Sequence, residues 1–135
     1  MTMLESKNGH GERRLLIVDD EERYARSLST HLADKGYGVR VVCSGEEAVA
    51  LASVFQPNIV LLDLMMPGLG GVETLKALKQ MNPASRIVII SAADHDEVIR
   101  GALKLGADFY LCKPIKLVEL DQLVRTLAPT LPGTA

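Results

Sequence analysis

Several features that would direct a reading elsewhere are missing from this chain. Basic residues show no excess: 15 Lys and Arg stand against 17 Asp and Glu, for a net charge of −2. No global basic footprint exists, and direct nucleic-acid binding is not expected. There are only two cysteines, Cys43 and Cys112, distant in sequence and each in a strand-like run. They read as two buried reduced thiols, not as a disulfide or a metal pair. No stretch approaches the roughly 18 apolar residues of a spanning helix, and the polar start, Met1 to Arg14, has no apolar signal core. Neither export nor a membrane anchor is expected, and the chain reads as cytoplasmic. No repeat or low-complexity tract interrupts it. What remains is a chain of 135 residues, 47% hydrophobic, in the range of one compact domain.

Within it, short apolar runs alternate five times with helical patterns. Strands are expected at about 14–19, 38–43, 58–63, 86–91 and 108–112, nearly continuously apolar, as parallel strands covered on both faces should be. Tyr24, Leu28 and Leu32 form one helical stripe, and Ala48, Leu51, Ala52 and Phe55 another. Ser44 and Glu47 read as a capping box, and Gly36 and Gly106 stand where helices should end in a left-handed residue. Further helices are expected at about 71–81, 95–106 and 116–127, the last with Leu117, Leu120, Val124 and Leu127 on one face. The fourth is unusual. Val98, Ile99, Ala102, Leu103 and Leu105 spread wider than one core stripe, and Gly101 inside it costs about 1 kcal/mol against Ala. It reads either as a movable partner surface or as a buried helix with a close-packing glycine. Residues 1–13 read as a flexible N-terminal segment, 14–128 as the domain, and 129–135, which begin at Pro129, as a tail or linker stub.

Such an alternation winds into an α/β fold, a doubly wound parallel sheet of five strands with helices on both faces. Ligands of these folds sit at the carboxyl ends of the strands. Polar residues occupy those ends here: Asp19-Asp20 after Leu15-Leu16-Ile17-Val18, Asp63 after Ile59-Val60-Leu61-Leu62, Ser91 after Ile87-Val88-Ile89-Ile90, and Lys113 after Phe109-Tyr110-Leu111-Cys112. One such residue would mean little, since every strand must exit into something polar. Four together describe a site.

The segments Ile17-Val18-Asp19-Asp20-Glu21, Leu62-Asp63-Leu64-Met65-Met66-Pro67-Gly68 with Gly71, Ser91-Ala92 and Lys113-Pro114 resemble the response regulator receiver domain (CheY-like) of two-component signalling, over about residues 14–127. The resemblance implies a flavodoxin-like (βα)5 fold with strand order 2-1-3-4-5. It implies that Asp63 is a phosphoacceptor for a sensor histidine kinase or histidine phosphotransferase. Three clustered carboxylates repel, each pair by roughly 4 kcal/mol at 4 Å and an effective dielectric of 20, and Mg²⁺ suits their oxygen ligands. Asp19, Asp20, Asp63 and the backbone carbonyl of Met65 are the implied metal ligands, and Lys113 the implied phosphoryl partner. Ser91 and Tyr110 are the implied switch pair, and a cis Lys113–Pro114 bond would aim the lysine. Met65 and Ala93 flank the implied path of the hydrolytic water, and neither side chain orients water by a strong hydrogen bond.

Bland alternatives stand beside each role. Asp19-Asp20 could simply begin a helix, Ser91 could be a loop hydroxyl, and either Phe109 or Tyr110 must face outward on a strand. Asp94, His95 and His31 read as loop or helix residues. A Mg²⁺-dependent phosphohydrolase would use similar carboxylates, but Asp63-Leu64-Met65 lacks a second Asp two residues on, and no cap insertion is present. A degenerate, binding-only receiver would not need all these positions filled. The expectation is thus a signalling switch, not a turnover enzyme, with a downstream protein or missing output domain and a possible phosphorylation-dependent homodimer through the fourth helix and fifth strand.

Overall fold

The computed structural model describes residues 13–66, 68, 70–92 and 96–128. Residues 1–12 of the expected N-terminal segment 1–13, the expected tail at 129–135, and Ala93, Asp94 and His95 lie outside the described residues.

Among the described residues, five strands and five helices alternate. They are β1 (Arg14–Val18), α1 (Glu22–Asp34), β2 (Gly38–Val42), α2 (Gly45–Phe55), β3 (Ile59–Asp63), α3 (Gly71–Met81), β4 (Arg86–Ser91), α4 (Asp96–Lys104), β5 (Phe109–Cys112) and α5 (Leu117–Leu127). The strands form one parallel sheet in the order β2-β1-β3-β4-β5, which is the flavodoxin-like order.

Strand periodicity divides each apolar run between two cores, because successive side chains point to opposite faces. Leu15 and Ile17 join Ile59, Leu61, Val88 and Ile90 beneath Ala25, Leu28 and Leu32 of α1 and Leu120 and Val124 of α5. Leu16 and Val18 join Val60, Leu62, Ile87 and Ile89 beneath α2, α3 and α4. The near-continuous apolar runs are therefore required by two-sided burial.

Helix ends follow the sequence signals. Gly36 (φ 99°) and Gly106 (φ 115°) are left-handed, and at each the two hydrogen bonds of a Schellman turn close the helix: Tyr37 N–H to Leu32 O with Gly36 N–H to Ala33 O, and Ala107 N–H to Ala102 O with Gly106 N–H to Leu103 O. The Glu47 N–H donates to Ser44 Oγ at 3.1 Å, whereas the Glu47 carboxylate accepts from Cys43 N–H at 2.9 Å. The capping box thus reaches one residue further back than the standard motif.

Four expectations change. Cys112 is exposed and Cys43 half-buried; both lie at the ends of edge strands, which are covered less than the central three. Leu117 is exposed, and Leu123 packs against the α1/α5 core in its place. In α4 only Ile99 and Ala102 are buried, while Val98, Leu103 and the following Leu105 remain exposed, and a Cβ on Gly101 would meet nothing within 4 Å. The close-packing reading of Gly101 is therefore wrong. Phe109 and Tyr110 are both exposed, because β5 is an edge strand and neither of its faces is fully covered at this end.

Candidate functional site

The strand order reverses direction at β1 and β3, so the crevice above their carboxyl ends is the topological switch point. Asp19 follows β1 directly, its N–H bonded to Val42 O at 3.2 Å. Asp63 ends β3, paired in register with Ile90 of β4. Ser91 is one step beyond Ile90 and pairs with Cys112, and its carbonyl accepts from Lys113 N–H at 2.8 Å. Four polar residues are thus carried to one sheet edge by consecutive backbone ladders.

Three carboxylates converge there. One oxygen from each of Asp19, Asp20 and Asp63 lies within 4.8 Å of the other two. Asp19 and Asp63 are buried, at 3% and 5% exposure, and Asp20 opens to solvent. In the two buried acids the oxygens divide their work. Asp19 Oδ1 accepts from Glu21 N–H at 2.9 Å, and Asp63 Oδ1 accepts from Met65 N–H at 3.0 Å, the short-range turn geometry that Asp favours. Their Oδ2 atoms face Lys113, whose Nζ stands 3.0 Å from Asp19 and 3.6 Å from Asp63. The Lys113–Pro114 peptide bond is cis, as the resemblance implied.

Burial pushes the Asp63 carboxyl above its ordinary pKa, and the charges of Asp19 and Asp20 add to this; the Met65 N–H and the Lys113 ammonium oppose it without prevailing. For Lys113, burial alone would disfavour the charge. Hydrogen bonds to Glu21 and Asp19 and the charges of Asp19 and Asp63 overcome it and hold the pKa above the usual lysine value. The site therefore carries a permanent cation and an excess of acid. A set made only of hard carboxylate oxygens, with a negative charge that one lysine does not balance, fits a divalent cation such as Mg²⁺.

The structure therefore brings Asp19, Asp20, Asp63 and Lys113 together and sets Ser91, 2% exposed, at the adjoining strand end. Tyr110 of β5 pairs with Ile89 of β4, shares its α4-side face, and is exposed. The Met65 side chain is exposed as well. Two residues gained a place that the sequence did not signal. Glu21 bonds the lysine, Nζ to Oε1 at 2.7 Å, and Tyr24, read as part of a helical stripe, lies with its ring centroid 4.9 Å from the same Nζ.

A doubly wound α/β domain with an acidic trio and a lysine at its switch point is the class that fold and site define. Residues 15–125 match the family model of the response regulator receiver domain, and the chain belongs to that family. It is 36% identical over 117 residues to the alkaline phosphatase synthesis transcriptional regulatory protein PhoP of Bacillus subtilis, a match covering 85% of this chain and 48% of that protein. It is 35% identical over 114 residues to the transcriptional regulatory protein PcoR of Escherichia coli, covering 84% and 50%. The chain thus spans about half the length of the curated relatives it matches. Among solved structures, a Francisella response regulator receiver domain superposes with a TM-score of 0.78 at 33% identity, covering 86% of this chain and 96% of that one. A response regulator protein from Burkholderia pseudomallei, solved with a phosphorylated aspartic acid, a calcium ion and citrate, gives 0.80 at 28% identity, covering 85% and 68%.

Proposed function

We propose that Asp63 accepts a phosphoryl group from the phosphohistidine of a sensor histidine kinase or histidine phosphotransferase. The observation that carries this reading is the Asp63 carboxylate at the end of β3, among two further carboxylates and 3.6 Å from the half-buried Lys113. The phosphorylated aspartic acid of the Burkholderia protein supports it.

In the proposed transfer, Asp63 Oδ2 forms the bond to phosphorus as the P–N bond breaks, and the electron pair leaves with the imidazole, which takes up a proton. Asp63 Oδ1 stays bonded to the Met65 N–H, which fixes the carboxylate plane. Lys113 offers its ammonium to the phosphoryl oxygens, a charge-assisted contact, and Ser91 offers its hydroxyl to the same group. Asp19, Asp20, Asp63 and the Met65 carbonyl would hold Mg²⁺, which when bound neutralises charge on the transferring group.

In this reading the chain is a switch and not a turnover enzyme. Coupling of Ser91 to Tyr110 would alter the exposed surface of α4 and β5, where a second copy or a downstream partner docks. The output is a separate protein or a domain joined to this one; relatives named as transcriptional regulators, about twice as long, favour the latter. A cytoplasmic location accords with a kinase partner, and among the described residues no helix is long and apolar enough to cross a membrane.

Incubation with a small acyl-phosphate donor and Mg²⁺, followed by mass spectrometry, tests the reading. Stoichiometric labelling that disappears in Asp63→Asn is expected. Multiple turnover on phosphate esters would replace it with a phosphohydrolase, and absence of labelling with a binding-only domain.

A further inference from the structure

We infer that Glu21 is a positioning residue that holds Lys113 away from Asp63 in the resting protein, so that Lys113 must be released before it can engage a phosphoryl group. The inference rests on the phosphoacceptor reading of Asp63 and adds a residue to it.

The local structure frees the Glu21 side chain for this task. Glu21 is the N-cap of α1, a position where a short polar side chain usually accepts from the helix's first free N–H groups. Its side chain makes no capping bond. Its backbone is instead fixed at both groups: the N–H by Asp19 Oδ1 at 2.9 Å and the carbonyl by Ala25 N–H at 3.0 Å. The carboxylate, anchored but not used by the helix, reaches Lys113 Nζ at 2.7 Å, the shortest of the three carboxylate contacts to that ammonium.

The arrangement differs from an ordinary surface pair. In the neighbouring Arg26–Glu22 pair both side chains are mostly exposed, whereas the Lys113 side chain is only 12% exposed. Asp19 lies on one side of the ammonium at 3.0 Å, and the Tyr24 ring lies 4.9 Å away at the distance of a cation–π contact. Asp63, at 3.6 Å, is beyond hydrogen-bond range of the lysine. An ammonium has three donors, and the resting geometry commits two of them to Glu21 and Asp19. A phosphoryl group on Asp63, whose Oδ2 already lies 3.6 Å from the ammonium, would add strong acceptors that compete with Glu21 for the lysine. The exposed Glu21 is the cheaper contact to give up, since water can solvate its carboxylate, while the buried Asp19 has no such substitute.

The test compares wild type with Glu21→Gln at saturating Mg²⁺, in two readouts. One is the rate of labelling by a small acyl-phosphate donor; the other is the affinity for trifluoroberyllate, a phosphoryl mimic that reports Lys113 engagement without chemistry. Both should increase about threefold, the size of one partly exposed ion pair. In a Lys113→Gln background the same substitution should change neither. The gain should also persist at high salt, where long-range effects of removing a surface charge are screened. Unchanged or reduced rate and affinity would overturn the inference. So would an equal gain without Lys113, or a gain that disappears with salt, since either would make Glu21 a general repulsive charge. If wild type takes no label at Asp63, the phosphoacceptor reading falls, and this inference with it. If Asp63 is labelled equally in both proteins, only the inference falls.

Discussion

Gly71 opens α3 directly against the backbone of Leu64: a Cβ on Gly71 would stand 2.6 Å from the Leu64 carbonyl oxygen and closer still to Leu64 Cα. Backbone cannot swing aside as a flexible side chain can. Because Leu64 follows Asp63 directly, this contact sets where the acidic loop leaves the sheet. Gly71→Ala should cost about 1–3 kcal/mol by overpacking and weaken the Mg²⁺-dependent rise in thermal midpoint. Gly101→Ala is the opposite case, in mid-helix with nothing within 4 Å of the new Cβ. It should stabilise by about 0.5–1 kcal/mol, the helix propensity difference. Chemical denaturation of both variants checks the pair, and equal effects would remove the packing explanation.

Asp63 is held in the fold at a cost that a stability measurement can read. Burial, then the Asp19 and Asp20 charges, raise its pKa, so the folded state binds the proton more tightly than the unfolded chain does. Its favourable contribution is complete below the ordinary carboxylate pKa of about 4 and is lost as pH rises through the raised folded value. In metal-free buffer near neutrality, Asp63→Asn should therefore unfold at a higher temperature than wild type. The gap should close as the pH is lowered past about 4. A lower midpoint for Asp63→Asn at neutral pH would mean that the Lys113 contact outweighs burial.

The fold was legible because two-sided burial leaves few readings of runs such as Leu15-Leu16-Ile17-Val18 and Ile87-Val88-Ile89-Ile90, each fully buried in the structure. Edge strands were less legible. Periodicity reports which residues could be covered and not whether a neighbour is there, so Cys112, Phe109 and Tyr110 proved exposed. At the site, Asp19, Asp20, Asp63 and Lys113 could be assembled because each ends or follows a strand and strand ends share one edge. Glu21 and Tyr24 escaped notice because their contact with Lys113 spans the chain from α1 to the loop after β5, and nothing in local spacing encodes it.

Metal binding should separate from folding at Asp20. This carboxylate belongs to the acidic trio but faces solvent, so its removal leaves no hole in the core. Mg²⁺ at about 100 times its dissociation constant should stabilise wild type by about 2.7 kcal/mol. In Asp20→Ala most of that gain should vanish, while the metal-free midpoint holds or rises as one repulsive charge leaves Asp63. Thermal melts with and without Mg²⁺ in both proteins check it; an undiminished response in the variant would place the ion elsewhere.

The lifetime of the acyl phosphate should depend on what stands beside the attacking water. Met65 lies two residues past Asp63 with its side chain exposed, and a thioether cannot accept or donate a strong hydrogen bond. Ala93 stands two residues past Ser91 in sequence and is equally unable to hold water. On the phosphoacceptor reading proposed for Asp63, with neither residue orienting the nucleophile, hydrolysis would lose the advantage of a positioned reactant, and the phosphorylated form should persist. Replacing Met65 with Asn and Ala93 with Glu adds groups able to hold that water. One new hydrogen bond of about 1 kcal/mol in the transition state corresponds to a rate increase of about fivefold. Following the loss of label from isolated phosphoprotein after the donor is removed gives the lifetime directly. A double variant that decays as slowly as wild type would show that water positioning at these two residues does not limit hydrolysis.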